Sequence, residues 1–502
     1  MPLALSYPGV YIEEVSSGVR TIAGVATSIG LFIGWAARGP TEQATRIFSF
    51  SDYERTYGGL DRRTPLGYAV KQFFENGGSD AYVIRVLTIA EGATGATPAV
   101  VSDGDLEFTA ISPGEWAHGY SVRIKPRPAP DDNRFKLEVL VGDQDSNVVA
   151  EVFENLSMLE TDPRFVEAAV NGNSRILTVE ASGATDPAAV ALEFANGSQA
   201  GTDGDVIEPG AAEMVAALED LFADDGIATK LDLFNLVCVP NETLGTTVQK
   251  LQGWCAAKRA FLIVDPPEDD DASEIGGHVV NYISGSASYS ALYFPRVRAP
   301  DPLQRGAIRA FPPCGFVAGI MARTDAQRGV WKAPAGTDAA LNGVVGFTET
   351  LSDAQNGVLN LQAVNCLRTL PVYGNVVWGA RTLEGDNNRG SEWKYVPVRR
   401  MALFLEESLF RGTQWVVFEP NDEPLWAQIR LNIGAFMQTL FRQGAFQGTT
   451  PREAYFVKCD RTTTTQADIN LGIVNIHVGF APLKPAEFVV LRIQQIAGDI
   501  PT

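Results

Sequence analysis

Histidine and cysteine are scarce in this 502-residue chain, at three and five residues. Three histidines supply little for a metal centre or an acid–base relay. The cysteines (Cys238, Cys255, Cys314, Cys366 and Cys459) are odd in number and never form a CxxC pair. They read as buried thiols of a reducing compartment rather than a disulfide frame. No Gly-Lys dipeptide occurs, which excludes a phosphate-cradling P-loop, and no GxSxG nucleophile elbow is present. Basic charge is also in deficit: 40 Lys and Arg stand against 60 Asp and Glu, a formal net charge of −20. A nucleic-acid binder needs a basic face to displace counterions, so the balance argues against that class and no nucleic-acid contact is expected. The best membrane candidate, IAGVATSIGLFIGWAARG at 22–39, falls short of the ~20 apolar residues that cross a bilayer. Thr27, Ser28 and repeated glycines mark it as a buried strand, and no direct membrane insertion is expected. No basic segment precedes an apolar run at the N-terminus, so no leader is expected.

What remains is a folded composition, 45% hydrophobic and 20% charged, too long for one ordinary core. The expected class is α/β and α+β, multidomain. Its elements are an N-terminal arm (1–20), a domain built from both chain ends (21–90 with 351–483), an inserted mostly-β domain (91–201), an α/β domain (206–346) and a C-terminal arm (484–502).

The first part reads as a strand–helix–strand unit. SIGLFIGWA is a near-continuous apolar run, as in a strand buried on both faces. FSFSDYERTYGG carries Ser51 three residues before Glu54, a capping-box spacing. TPLGYAVKQFFENGG predicts a stronger helix, with Thr64 as N-cap, Pro65 at the first helical position and Gly77-Gly78 as the stop. The composition then shifts to Gly, Ala, Thr, Pro and Asp, and RFKLEVLV and NVVAEVF predict strands separated by turns. After 206, helical AAEMVAALEDLF and TTVQKLQGWCAAK alternate with the strands LFNLVCVP and RAFLIVDPP, a pattern of parallel sheets covered by helices. Near the C-terminus MALFLEESLF predicts a helix, TQWVVFEP a strand and PLWAQIRLNIGAFMQTLFRQG a helix. The last has Asn421 or Asp422 as cap and Leu425, Ile429, Phe436 and Leu440 on one stripe. EAYFVKC, LGIVNIHVGF and EFVVLRIQQ then predict strands. No internal repeat is visible.

Candidate chemistry is thin. His118, His278 and His477 read as structural. Asp143, Asp145, Asn147 and Glu154 stand at calcium-loop spacings, but Val148 replaces the turn glycine, and a hairpin turn is the better reading. The acidic run 268–271 follows a strand, where α/β folds place sites, yet it reads as a solvated loop. GARTLEGDNNRGSEWKYVPVRR reads as an exposed loop before a helix. No catalytic residue, cofactor or metal is expected.

The ends carry more. SYPGVYIEE opens the chain as a strand with no local hairpin partner, and AEFVVLRIQQI nearly closes it the same way. A strand cannot satisfy its own backbone groups, so such segments are hazards unless an acceptor exists elsewhere. Chains that lend a strand to a neighbour's sheet use this for assembly. The donor candidates are Val10, Tyr11, Ile12, Glu13, Val489, Leu491 and Ile493. The Gly/Ser and Pro/Lys stretches that set these segments off supply the hinge candidates Ser16, Ser17, Gly18, Pro482 and Pro485.

Taken in order, YPGVYIEEVSSGVRTIAGVATSIGLFIGWAARGP, FSFSDYERTYGG, FFENGGSDAYVIRV, NVVWGARTL, VPVRRMALFLEESL, WVVFEPNDEPLWAQI and LFRQGAFQG resemble the contractile tail sheath proteins of phages, phage-tail-like bacteriocins and contractile injection systems. The resemblance implies an inner domain facing a tube, a subtilisin-like α/β domain outside it, and terminal arms exchanged between subunits. No Ser/His/Asp triad carries over. It also implies a structural, non-enzymatic subunit of a homo-oligomeric helical sheath of stacked rings. Its partners would be an inner tube protein, a baseplate and terminator or cap proteins, with assembly in the bacterial host cytoplasm. Arg430 and Arg442, on the 424–443 helix, are the candidate tube contacts. A static tail or baseplate subunit, or an α/β hydrolase, are the alternatives.

Overall fold

The computed structural model describes residues 20–41, 43–88, 95–128 and 133–492. Val10, Tyr11, Ile12, Glu13, Ser16, Ser17, Gly18 and Ile493 lie outside the described residues. The fold is mixed α/β with several sheets, and the chain divides into two compact units.

The larger unit comprises 27–323 and 334–391. Its centre is an eight-stranded sheet in the order Gly374–Val377, Val364–Leu370, Ser290–Phe294, Phe261–Val264, Leu236–Cys238, Gly30–Trp35, Ala81–Val86, Thr45–Ile47. The middle six strands run parallel, and the two edge strands are antiparallel. Parallel strands are covered on both faces and so read as unbroken apolar runs. All six residues of GLFIGW are buried accordingly. Phe32 and Phe73 are fully buried and meet edge to face at 5.3 Å.

The sheet revises the expected grouping of 21–90 with 351–483. Gly30–Trp35 pairs with Leu236–Cys238, and Val364–Leu370 pairs with Ser290–Phe294, so both belong to the α/β unit. Parallel pairing joins segments far apart in sequence, which local periodicity does not report.

Within the same unit, residues 100–193 form two antiparallel sheets. One has four strands, ordered Val190–Glu193, Tyr120–Pro126, Phe135–Val141, Val149–Leu156. The other has three, ordered Val100–Asp103, Leu106–Ala110, Leu177–Ala181. They share an apolar cluster that includes Phe108, Leu137, Leu156 and Phe194. The calcium-like stretch is the turn between two of these strands. The Asp143 carboxylate accepts from the Asp145 N–H at 3.1 Å, and Glu154 faces Lys136 at 3.4 Å.

Three local expectations shift. Ser49, not Ser51, caps the helix Phe50–Tyr57, its hydroxyl accepting from the Asp52 N–H at 3.2 Å. The next helix is Leu66–Glu75. Thr64 sits just before it, accepting from the Leu66 N–H at 3.3 Å and donating to the Trp35 carbonyl at 2.9 Å. The loop read as exposed at 379–394 is buried where it begins: Arg381 and Thr382 are fully covered. The Arg381 guanidinium donates to the carbonyl of Asn360 at 2.7 Å and to the Asn387 side chain at 3.0 Å, stapling the turn from inside.

The smaller unit comprises 324–333 and 392–492, together with the described residues up to Ala26. Helices Val396–Gly412 and Glu423–Arg442 supply its core, where Met401, Leu405, Trp426, Ile429, Ile433 and Met437 pack together. Asp422 caps the second helix by accepting from the Leu425 N–H at 3.3 Å. Gly444, at φ +77°, ends it. A buried, bidentate pair between Arg400 and Asp325, at 3.0 and 2.6 Å, ties the first helix to 324–333. The strand expected at 413–420 is absent. A short 3-10 turn, Gln414–Val416, follows the helix, and Phe418 sits at φ +70° fully exposed. A short aromatic and β-branched run is ambiguous in sequence, and here Pro420 and the cap at Asp422 leave it no room to extend.

Candidate functional site

An α/β fold carries chemistry at the carboxyl ends of its parallel strands, and the carboxylate that directly follows one of them is buried here. Asp265 follows the strand Phe261–Val264 and is 1% exposed; its carboxylate accepts from the Asn241 N–H at 3.0 Å and the Cys314 N–H at 2.8 Å. Burial pushes the Asp265 carboxyl above its ordinary range. Burial also pushes the Cys314 thiol well up, so it supplies no thiolate. His118, His278 and His477 fall on three different elements. His278 reaches Asp270 at 3.1 Å, within the acidic run. Among the described residues, no group of three or more His, Cys, Asp or Glu could hold a metal ion, and no helix is long and apolar enough to cross a membrane.

The exceptional surface lies in the smaller unit. After Gly444 the chain turns through Phe446 and enters a capping box. The Thr450 side chain accepts from the Glu453 N–H, and the Glu453 carboxylate accepts from the N–H groups of Thr450 at 3.2 Å and Thr449 at 2.8 Å. The strand Tyr455–Lys458 follows. A second capping box, Thr465 with Asp468, opens the short helix Gln466–Asn470, and the chain returns as His477–Phe480. The strands pair antiparallel, Tyr455 opposite Phe480 and Lys458 opposite His477. They form a two-stranded sheet, so each strand is an edge. The sheet is fixed to the long helix: the Tyr455 hydroxyl donates to the Gln438 side chain at 2.9 Å, and Phe446 sits 6.1 Å from Tyr455 and 6.0 Å from Phe480. Phe456 is 58% exposed and lies over Gly479, where an added Cβ would come within 2.2 Å of its ring.

A two-stranded sheet is marginal alone, and both outer rows of backbone groups have no ladder partner among the described residues. The sequence named donor strands but not this acceptor. Its signal was present in EAYFVKC and LGIVNIHVGF, whose second half alone becomes strand. The described part of the expected C-terminal donor, 487–492, has no secondary structure here. Val489 and Leu491 are about four-fifths exposed, at 79% and 82%. Pro482 is bridged to Phe446 and so belongs to the fixed part, whereas Pro485 lies beyond it in unpaired chain. Of the two arginines on the long helix, Arg430 is engaged locally. It donates to the Cys459 carbonyl and pairs with Glu423 at 2.6 Å. Arg442 is exposed in the last turn.

Two family models match successive parts of the chain. The phage tail sheath protein central domain matches residues 210–383, and the phage tail sheath C-terminal domain matches 388–496. A prophage major tail sheath protein of Pseudomonas aeruginosa (strain UCBPP-PA14) is 25% identical over 249 residues, 49% of this chain and 60% of that protein. The tail sheath protein of Vibrio phage KVP40 is 24% identical over 264 residues, 52% of this chain and 36% of that protein. These matches thus span less than two thirds of the curated relatives' own length. The sheath of the extracellular contractile injection system PVC, in its contracted state, shares the fold over 99% of both chains, with a TM-score of 0.62 and 23% identity. The relatives are structural proteins and not enzymes, and the chain belongs to the tail sheath protein family.

Proposed function

We propose that this chain is a structural subunit of a contractile sheath, polymerising helically around an inner tube and shortening to drive that tube through a target envelope. The observation that carries this reading is the two-stranded sheet 455–458/477–480, open on both edges, in a chain whose two ends read as unpartnered strands. Strands from neighbouring copies would complete it: the 10–13 segment from one copy and the 489–493 segment from another. Main-chain hydrogen bonds then provide the contact, and the 16–18 and 483–485 stretches act as hinges that keep it intact during rearrangement. Donor and acceptor surfaces differ, so the contact is head-to-tail, and repeating it gives a ring or an open helix. Shortening requires two packings of rigid units with unequal energy and no nucleotide, in keeping with a chain that lacks a P-loop.

In this reading the smaller unit faces the tube, with Arg442 as its candidate contact. The larger unit, which corresponds to the subtilisin-like part in the family, lies outside. The partners are further copies, a tube protein, and baseplate and terminator or cap proteins of a phage tail or tail-like particle assembled in the host cytoplasm. Electron microscopy of the purified protein tests the reading: hollow ridged cylinders are expected, and discrete particles would instead favour a static tail or baseplate subunit. Deleting the residues before Ser16 should leave a folded, soluble subunit that forms no cylinders. Normal cylinders from that truncation would sink the strand-exchange mechanism.

A further inference from the structure

A cleft of about 550 Å³ opens in the larger unit beside the edge strand Thr45–Ile47. Four arginines line it, Arg38, Arg46, Arg55 and Arg175, against one carboxylate among the lining residues, Asp52. Two of the four are engaged: Arg46 forks onto Asp80 at 2.9 and 2.6 Å, and Arg55 pairs with Asp52. Arg38 lies 4.2 Å from the centre of the Trp116 ring, which fixes the guanidinium from one side. Arg175 is exposed, and only its backbone N–H is tied, to Glu151 at 2.9 Å. Neither of these two guanidinium groups meets a carboxylate among the described residues. Phe48 and Ile111, 60% and 49% exposed, add apolar surface to the same walls. Positioned guanidinium groups between exposed apolar side chains are the composition of a protein-binding surface rather than of a solvated face.

In a chain with 20 excess negative charges the complementary surface is close to hand. The acidic run 268–271 leaves the carboxyl end of Phe261–Val264. Asp270 turns to His278, and the Asp271 carboxylate accepts from the Ser273 N–H at 2.7 Å, while Glu268 and Asp269 stand exposed. The strand that launches this loop stands four positions from Thr45–Ile47 in the sheet, about 19 Å at ~4.8 Å per strand. One body therefore presents a cationic cleft and an acidic loop as separate surfaces.

We propose that the cleft receives the 268–271 loop of a second copy of this chain. The two surfaces are unlike, so the contact is head-to-tail and repeats. Its place in a lattice rests on the sheath reading, but the contact is measurable without a lattice.

The test titrates a labelled peptide of sequence PPEDDDASEI (266–275) into the full chain by fluorescence anisotropy. Saturable binding that weakens with salt is expected. It should fall about tenfold or more in Arg175→Glu and in Arg38→Glu, and stay unchanged in Arg452→Glu, a control in the smaller unit. Arg175 is on the surface, so its variant keeps the fold if Arg38→Glu does not. A peptide carrying Glu268→Lys and Asp269→Lys should bind only the reversed variants. Absence of saturable binding, equal binding by Arg175→Glu, or tripolyphosphate binding where the peptide does not, would each overturn the proposal. Electron microscopy of the same samples separates the two readings. Cylinders from a chain that ignores the peptide remove only the cleft, and peptide binding without cylinders removes only the sheath.

Discussion

The chain contains two sheets that handle their edges in opposite ways. In the larger unit the eight-stranded sheet is covered on both faces, and its Gly374–Val377 edge is overlaid by 336–341. There the Gly336 N–H donates to the Val377 carbonyl, the Val377 N–H to Ala339, and the Leu341 N–H to Asn375, at 2.9, 3.1 and 2.9 Å. Its other edge strand is only three residues long. Short or covered edges are how folded proteins avoid joining one another. In the smaller unit the sheet has two strands, two edges without a further ladder partner among the described residues, and an exposed aromatic on its surface. The first sheet buries its strands and keeps its edges short or overlaid, whereas both strands of the second are edges.

The comparison breaks if the large sheet tolerates loss of its packing. Phe32→Ala removes a ring that is fully buried against Phe73 and leaves a cavity between strand and helix. A loss of about 3–5 kcal/mol is expected, read as a shift of the main chemical-denaturation transition at unchanged slope. A change below about 1 kcal/mol would mean that this core is not the source of stability.

The smaller unit should respond on a smaller scale and in a different observable. Tyr455→Phe removes the hydroxyl that ties the two-stranded sheet to Gln438 and leaves the tilted ring contact with Phe446 in place. A loss of about 0.5–1.5 kcal/mol is expected. It should appear first as faster amide exchange across 455–458 and 477–480, with the larger unit unaffected. Equal acceleration in both units would join them into one cooperative body and erase the distinction.

These contrasts also explain what could be read in advance. The helix Glu423–Arg442 was legible because its cap, stop and apolar stripe are local, and Gly245–Lys258 and Val396–Gly412 were legible in part from their helix-forming residues. The burial of GLFIGW was legible from its unbroken apolar run. The partner of that strand was not, since Leu236–Cys238 lies some 200 residues on and parallel pairing has no turn signal. The burial of Arg381 was hidden for another reason: a Gly-rich polar stretch signals exposure, whereas here internal carbonyls satisfy the guanidinium. The open edges at 455–458 and 477–480 illustrate a third limit. The first strand and the second half of LGIVNIHVGF were legible from composition, but an edge is defined by what does not pair with it, and no single segment carries that information.

Acidification should separate the regions by sign as well as by size. Around the two-stranded sheet three carboxyls are held below their ordinary range: Glu453 by the Thr449 N–H, Asp460 by the Thr462 hydroxyl and N–H, and Asp468 by the Thr465 hydroxyl and N–H. A depressed folded value contributes stability that is present above the unfolded pKa, about 3.8–4.5, and is lost as pH falls through the folded one. At the carboxyl ends of the large sheet, burial raises Asp265 and Glu242 instead. Their contribution is fully present below the unfolded pKa and is lost as pH rises through the folded value. Lowering the pH from 7 to about 3.5 should therefore loosen the caps at 449–468 while leaving the segments 236–242 and 261–266 relatively better protected. Amide exchange corrected for intrinsic pH dependence reads both regions in one experiment. Because the caps are exposed, the effect should be the smallest of the three. A parallel response in the two regions would mean that the capping carboxylates do not govern the sheet they flank, and that its open edges are held by the Tyr455–Gln438 anchor and the helix beneath it.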